Sequence, residues 1–170
     1  HASARDNFQH ALPLCYYNPP LAKIVIRYML KRTTSLGEIR LIEMGNGFAY
    51  NERYFTSDQQ LYFFMLITEY LEVTEDYEFL SEEIMPYPAK NTNPLKVWEF
   101  VKECFVYLRD TVGTGAHGLI NLLNSDWGDA VYYVENVPYN MVLLNGESHM
   151  NTAMALSILD KLAVQLKKAA

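Results

Sequence analysis

Between residues 93 and 112 the apolar side chains Val97, Val101, Cys104, Phe105 and Leu108 recur at spacings of three and four. Lys102, Glu103 and Arg109 lie off that stripe. This is the period of an amphipathic helix. Asn93 as N-cap, Pro94 in the first turn and Gly113 beyond the last turn mark its ends. The same spacing predicts a helix opened by Ser57 and Asp58 and running to about Val73, with Leu61, Phe64, Met65, Thr68 and Leu71 on one face. A third, over residues 147–168, carries Met150, Met154, Ile158, Leu162 and Leu166. Two more are predicted over 3–16 and 19–31, separated by Asn18, Pro19 and Pro20, which break one helix and restart the next.

The connections differ in character. Residues 16–20 form a short link, whereas 33–56, 86–92 and 113–145 are long and hold Gly, Pro, Asn and aromatic residues, with small strands predicted near 39–42 and 130–134. Long loops of mixed composition commonly carry function. The pattern predicts an all-α chain, read as a single segment over 1–170. No internal repeat of fixed period is visible. A helical bundle and a toroid of helical hairpins fit the periodicity equally.

Composition adds one compact core: half of the residues are hydrophobic, enough to bury a substantial interior at this length. The longest apolar stretches, such as 61–67, stop well short of the roughly 20 residues a membrane span needs, and Glu69 and Glu72 follow at once. No membrane association is expected. The first ten residues lack the basic stretch and apolar core of a secretion signal, which leaves the compartment open. The formal charge of -6 is spread along the chain and its basic residues form only short runs, which argues against a nucleic-acid partner. Cys15 and Cys104 sit in apolar surroundings with no CxxC spacing and read as buried thiols. The histidines show no metal-ligand spacing, so neither a metal nor any other cofactor is expected.

The chemistry concentrates in residues 115–129, GAHGLINLLNSDWGD, where Asp126 and Asp129 flank Trp127 inside a loop. An aromatic ring offers a flat surface to the C–H face of a sugar, and a neighbouring carboxyl can bind hydroxyls or protonate a glycosidic oxygen. Alone, the D-W-x-D spacing fits a structural tryptophan between capping or turn aspartates better than a sugar site. His117 reads either as an approach to this loop or as a turn residue between Gly115 and Gly118. Glu147 reads as a substrate contact, as a hydrolase base or as a helix cap, and Asp58 carries a similar ambiguity at the start of its helix. Tyr50, Tyr54, Tyr132, Tyr133 and Tyr139 lie in the long loops as candidate platforms or packing groups.

The stretch HGLINLLNSDWGDAV closely resembles the HGLPL…GDWNDG segment of the cellobiose and chitobiose phosphorylases, glycoside hydrolase family 94. TSDQQLYFFMLITEYLEVTEDYEFLSEEI is similar to that family's SDDPLWL…EYI…TGDLSFLDEEV helix and turn. SARDNFQHALPL resembles its R-D-x-x-Q segment, and NGESHMNTAMALSILDKLAVQL resembles the later segment in which a Glu-Ser pair opens a barrel helix. The resemblance covers nearly the whole chain.

It implies part of an (α/α)6 barrel with the active site among long loops at one end. Five predicted helices account for only part of such a barrel, so the chain is expected to belong to a longer enzyme. By resemblance Asp129 is the general acid, and Trp127, Arg5 and Asp6 contact the sugar being transferred. Asp126 and Glu147 stand beside them as further candidate substrate contacts. The implied activity is inverting phosphorolysis of a β-linked disaccharide or oligosaccharide with inorganic phosphate as co-substrate, alternatively inverting hydrolysis on the same fold or a non-catalytic carbohydrate-binding remnant. A phosphorylase favours the cytoplasm, and a homodimer is possible in the full-length protein. The family's Asn after the Trp is Gly128 here, its second Gly after the motif is Ala130, and its S-D-D is Ser57-Asp58-Gln59.

Overall fold

A computed structural model describes residues 2–43, 49–50, 55–90, 92–123, 125–128 and 139–169. The predicted strand at 130–134, together with Asp129, Tyr54, Tyr132 and Tyr133, lies outside the described residues. The chain is all-α: its helices are α1 (Ala4–Ala11), α2 (Leu14–Tyr17), α3 (Pro19–Leu30), α4 (Gln59–Thr74), α5 (Val97–Val106), α6 (Tyr139–Asn145) and α7 (His149–Lys168). No helix among the described residues is long and apolar enough to cross a membrane.

The differences from the predicted boundaries have physical causes. The helix predicted over 3–16 is two helices, because Pro13 has no N–H to continue the ladder. The chain tightens there, Leu12 N–H donating to the Gln9 carbonyl (3.2 Å) and Cys15 N–H to that of Leu12 (3.1 Å). The helix predicted to open at Asn93 begins at Val97. Residues 95 and 96 instead form a strand, β5 (Leu95–Lys96), that pairs antiparallel with β4 (Glu83–Ile84). The Glu99 carboxylate then accepts the Lys96 N–H at 2.7 Å and satisfies the helix entrance. Gly113 does end it, through a widened last turn in which Gly113 N–H reaches the Leu108 carbonyl at 2.9 Å.

α4 is the centre of the fold. Its prediction as one-faced is too modest: Phe63, Leu66, Ile67 and Tyr70 are buried as well as Leu61, Phe64 and Leu71. Helix α4 packs against α1, α2, α3, α5 and α7, and a helix apolar over most of its circumference needs such a surround. Each fully buried large apolar side chain contributes about 1.5–3 kcal/mol relative to exposure. α1 rests on α4 through Phe8 and Phe63, whose ring centroids are 5.8 Å apart. The strands are short: β1 (Ala2–Ser3), β2 (Ile42–Glu43) and β3 (Ala49–Tyr50) form an antiparallel sheet with Ser3 opposite Ile42 and Ile42 opposite Tyr50. They fix the start of α1, whose Ala4 N–H donates to the Leu41 carbonyl at 2.8 Å. Cys15 and Cys104 are free and buried; burial pushes the Cys15 thiol up to about 11.

Candidate functional site

Three parts of the chain meet at the turn Asp126-Trp127-Gly128. From α1, the Arg5 guanidinium sends Nη1 to Asp58 Oδ2 (2.8 Å) and to the backbone carbonyl of Asp126 (2.7 Å). From the entrance of α4, Ser57 donates its N–H (3.0 Å) and its hydroxyl (3.3 Å) to the Ser125 carbonyl. From the entrance of α7, the Ser148 hydroxyl donates to Asp126 Oδ2 at 2.8 Å. The other oxygen of Asp126, Oδ1, accepts the Gly128 N–H at 2.8 Å, the local bond that shapes an Asx turn.

Ser148 also does the work of a helix cap. Its Oγ accepts the Asn151 N–H at 3.1 Å, while Asn151 Nδ2 donates to Ser57 Oγ at 2.9 Å. The entrances of α4 and α7 are thereby cross-linked below the turn. The result is a sharp contrast in exposure: Ser125 is 1% exposed and Asp126 9%, yet Trp127 between Asp126 and the exposed Gly128 is 58% exposed. Hydrophobic burial would drive an indole inward. The turn instead holds it outward.

The segment before the turn is anchored by Glu147. Residues 120–122 run beside 146–148, with Ser148 N–H on the Ile120 carbonyl and Leu122 N–H on the Gly146 carbonyl, both at 2.7 Å. Glu147 Oε1 accepts the His117 backbone N–H at 2.9 Å. That bond, and then the nearby His117 ring, hold the Glu147 carboxyl below its ordinary range. A Cβ on Gly115 would stand 2.1 Å from Glu147 Oε1, so only glycine fits there with the carboxylate in place. Because the folded pKa is depressed, this group's stabilisation is present above 4.5 and is lost as pH falls through the folded value. Glu147→Gln is expected to melt lower than the parent at pH 7, with the gap closing below pH 4.5. Thermal melts of both proteins across pH 3–8 check it.

The sequence-derived candidates thus fall in different places. Arg5 and Asp126 meet directly, Trp127 stands at the tip of their turn, and Glu147 supports the preceding segment. Asp6, the residue after Arg5 on α1, is exposed. Asp129 follows the turn by one residue and lies outside the described residues. His117 has an exposed ring and uses its backbone N–H in the turn, where Gly118 N–H also donates to the Gly115 carbonyl at 3.0 Å.

Asp58 is the member that sequence reasoning left ambiguous. It precedes α4, but its side chain makes no cap bond; it is fully buried and holds Arg5. Burial pushes its carboxyl up to about 6 against the lowering pull of Arg5, and Asp126 adds to the rise. In the sequence Ser57 and Ser148 read only as residues that open helices, and nothing local marks Asn151. The polar run Ser57-Asp58-Gln59-Gln60 at the head of an otherwise apolar helix is the one signal of this network on the α4 side.

An apolar groove of about 590 Å³ lies elsewhere, between α5, α7 and the turn at Tyr77, lined by Trp98, Phe105, Leu162 and Leu166 among others. None of the polar groups of the Asp126 turn lines it.

Residues 2–169 match the family model of the glycosyl hydrolase 94 superfamily, catalytic domain. The chain belongs to this family of carbohydrate-active enzymes, and its helices are an all-α segment of the family's helical barrel. A comparison with curated proteins gives no match.

Proposed function

We propose that the chain supplies the proton-donor side of a phosphorylase that cleaves a β-linked disaccharide or oligosaccharide with inversion. The observation that supports this most is the outward-held Trp127, fixed through the backbone of Asp126 and through the Asp126 carboxylate. A sugar ring can stack on that indole, and Asp129 is the next carboxyl along the chain. Asp6, exposed next to Arg5, is open to accept hydrogen bonds from sugar hydroxyls. In this reading Arg5 and Asp126 shape the sugar-binding turn, and Glu147 holds the segment that leads into it.

The step requires that Asp129 carry a proton when substrate is bound. Exclusion of water by a bound substrate favours the protonated form of a carboxyl. Asp129 then gives its proton to the glycosidic oxygen as the bond to the anomeric carbon breaks. Inorganic phosphate attacks that carbon from the opposite face, so the products are a sugar 1-phosphate and a shortened sugar. Phosphate is itself the nucleophile, so no protein base is needed.

Hydrolysis on the same scaffold would need such a base, and Glu147 is poorly suited: its Oε1 already accepts a backbone N–H and its proton affinity is lowered. The native gene product, supplied with cellobiose, laminaribiose, sophorose or chitobiose, is expected to release sugar only when phosphate is present. Equal release without phosphate would overturn the phosphorylase reading.

A further inference from the structure

The buried pair of Arg5 and Asp58 has no evident purpose in stability alone. Two charges taken out of water lose hydration that their attraction restores only in part, and an apolar pair of similar volume often holds a fold equally well. Here the pair is almost wholly buried, with side chains 5% and 0% exposed. It is also unusual in its connections. The Nη1 that meets Asp58 also meets the Asp126 carbonyl, so the guanidinium ties the backbone of the turn to α1 and α4, beside the bonds that Ser57 and Ser148 make to Ser125 and Asp126. Asp58 supplies the acceptor that holds that nitrogen from the α4 side. Other groups around it are consistent with a rigid seat: Gln59 Nε2 lies 3.3 Å from Asp58 Oδ1, and the neighbouring Ser57 binds the Ser125 carbonyl one residue before Asp126.

We infer that Asp58 is a positioning residue for the sugar-binding turn, acting through Arg5 to hold Trp127 in its outward orientation. This rests on the proposed role of Trp127 for its consequence in catalysis, but the positioning itself is a property of the free protein. A hydrogen bond to the Asp126 carbonyl fixes the backbone one residue before the indole. Displacing that backbone by about 1 Å is enough to cost on the order of 100-fold in rate when geometry controls the reaction. Loss of the pair would therefore show first in the freedom of the indole and in kcat, with a smaller change in KM.

The chain's two tryptophans make this measurable. Trp98 lies on α5 beside the apolar groove, and Trp98→Phe leaves Trp127 as the sole indole emitter. In that background two variants are compared. Arg5→Lys keeps a positive charge beside Asp58, but its ammonium ends one bond short of the Nη1 position from which Arg5 bonds both Asp58 and the Asp126 carbonyl. The double variant Arg5→Met with Asp58→Leu removes both charges together, so no buried charge is left alone to unfold the protein. Both are expected to keep the helical circular-dichroism signal and a cooperative melt while the anisotropy of Trp127 emission falls. In the native gene product kcat should fall by about 100-fold.

Unchanged Trp127 anisotropy in either folded variant would overturn the inference. Unfolding of the double variant with Arg5→Lys folded leaves the decision with Arg5→Lys; unfolding of both would show that the pair serves the fold and overturn it as well. A fall in anisotropy in a protein with no phosphorylase activity would uphold the positioning role and remove the proposed function instead.

Discussion

Asp129→Asn is expected to lower kcat/KM for phosphorolysis of a disaccharide by about 10²–10⁴-fold, the usual contribution of a positioned general acid. Asparagine keeps the size of the side chain but has no proton to give. The deficit should depend on the leaving group. A sugar hydroxyl departs as a strongly basic alkoxide unless protonated, whereas dinitrophenolate leaves readily without help. With a dinitrophenyl β-glycoside the variant should therefore recover most of the lost rate, and the ratio of the two deficits reports proton donation rather than general damage. Activity of Asp129→Asn equal to the parent on disaccharides would remove the residue from the mechanism.

The largest stability effect is expected in the loop before β2. Gly37 has φ +77°, and a Cβ there would lie 2.2 Å from the Glu103 carbonyl oxygen and 2.5 Å from the Cys104 nitrogen. Those atoms are backbone of α5, so no side chain can swing aside. The loop before β2 is held in this close approach by Gln60, whose Nε2 donates to the Gly37 carbonyl at 3.0 Å. Gly37→Ala must therefore push the loop off α5, break that buried bond, or both. A loss above about 4 kcal/mol is expected, in the range reserved for overpacking and strained backbone. For a chain of this size that is a fall in Tm of about 10 °C or more. Gly118→Ala separates the two causes. Gly118 shares the backbone conformation, φ +76°, but a Cβ there meets nothing within 4 Å. Only the conformational term of about 1–2 kcal/mol remains, and a similar loss in both variants would contradict the steric account.

The contrast between these two glycines shows what the sequence can and cannot reveal. The helices at the centre were legible because burial imposes a period on the residues that form them, as the spacing of Leu61, Phe64, Thr68 and Leu71 does in α4. Their boundaries shifted where a non-local demand outweighed local preference: residues 95 and 96 extend because 83 and 84 are there to pair with them. Helix α6 falls within 113–145, a stretch whose sequence has the character of a loop. Its seven residues give too few turns for a stripe to stand out.

The site was legible in a different way. Trp127 and its aspartates announced themselves as polar and aromatic residues crowded into a loop, and resemblance to a known family assigned them roles. The supports beneath were hidden because each depends on a partner remote in sequence. Arg5 meets the Asp126 carbonyl across 121 positions, and Asn151 reaches Ser57 across 94. Nothing local to Asp58 distinguishes a helix cap from a buried counter-ion. Only the packing of α1 against α4 selects the second.

The proposed reaction transfers a glycosyl group to phosphate with inversion at the anomeric carbon. Proton and phosphorus NMR of the reaction of the native gene product with a β-linked disaccharide and inorganic phosphate tests it most directly. The expected first product is an α-linked sugar 1-phosphate, formed in step with the released sugar. A β-linked sugar 1-phosphate, or free sugar accumulating with no phosphate ester, would contradict it.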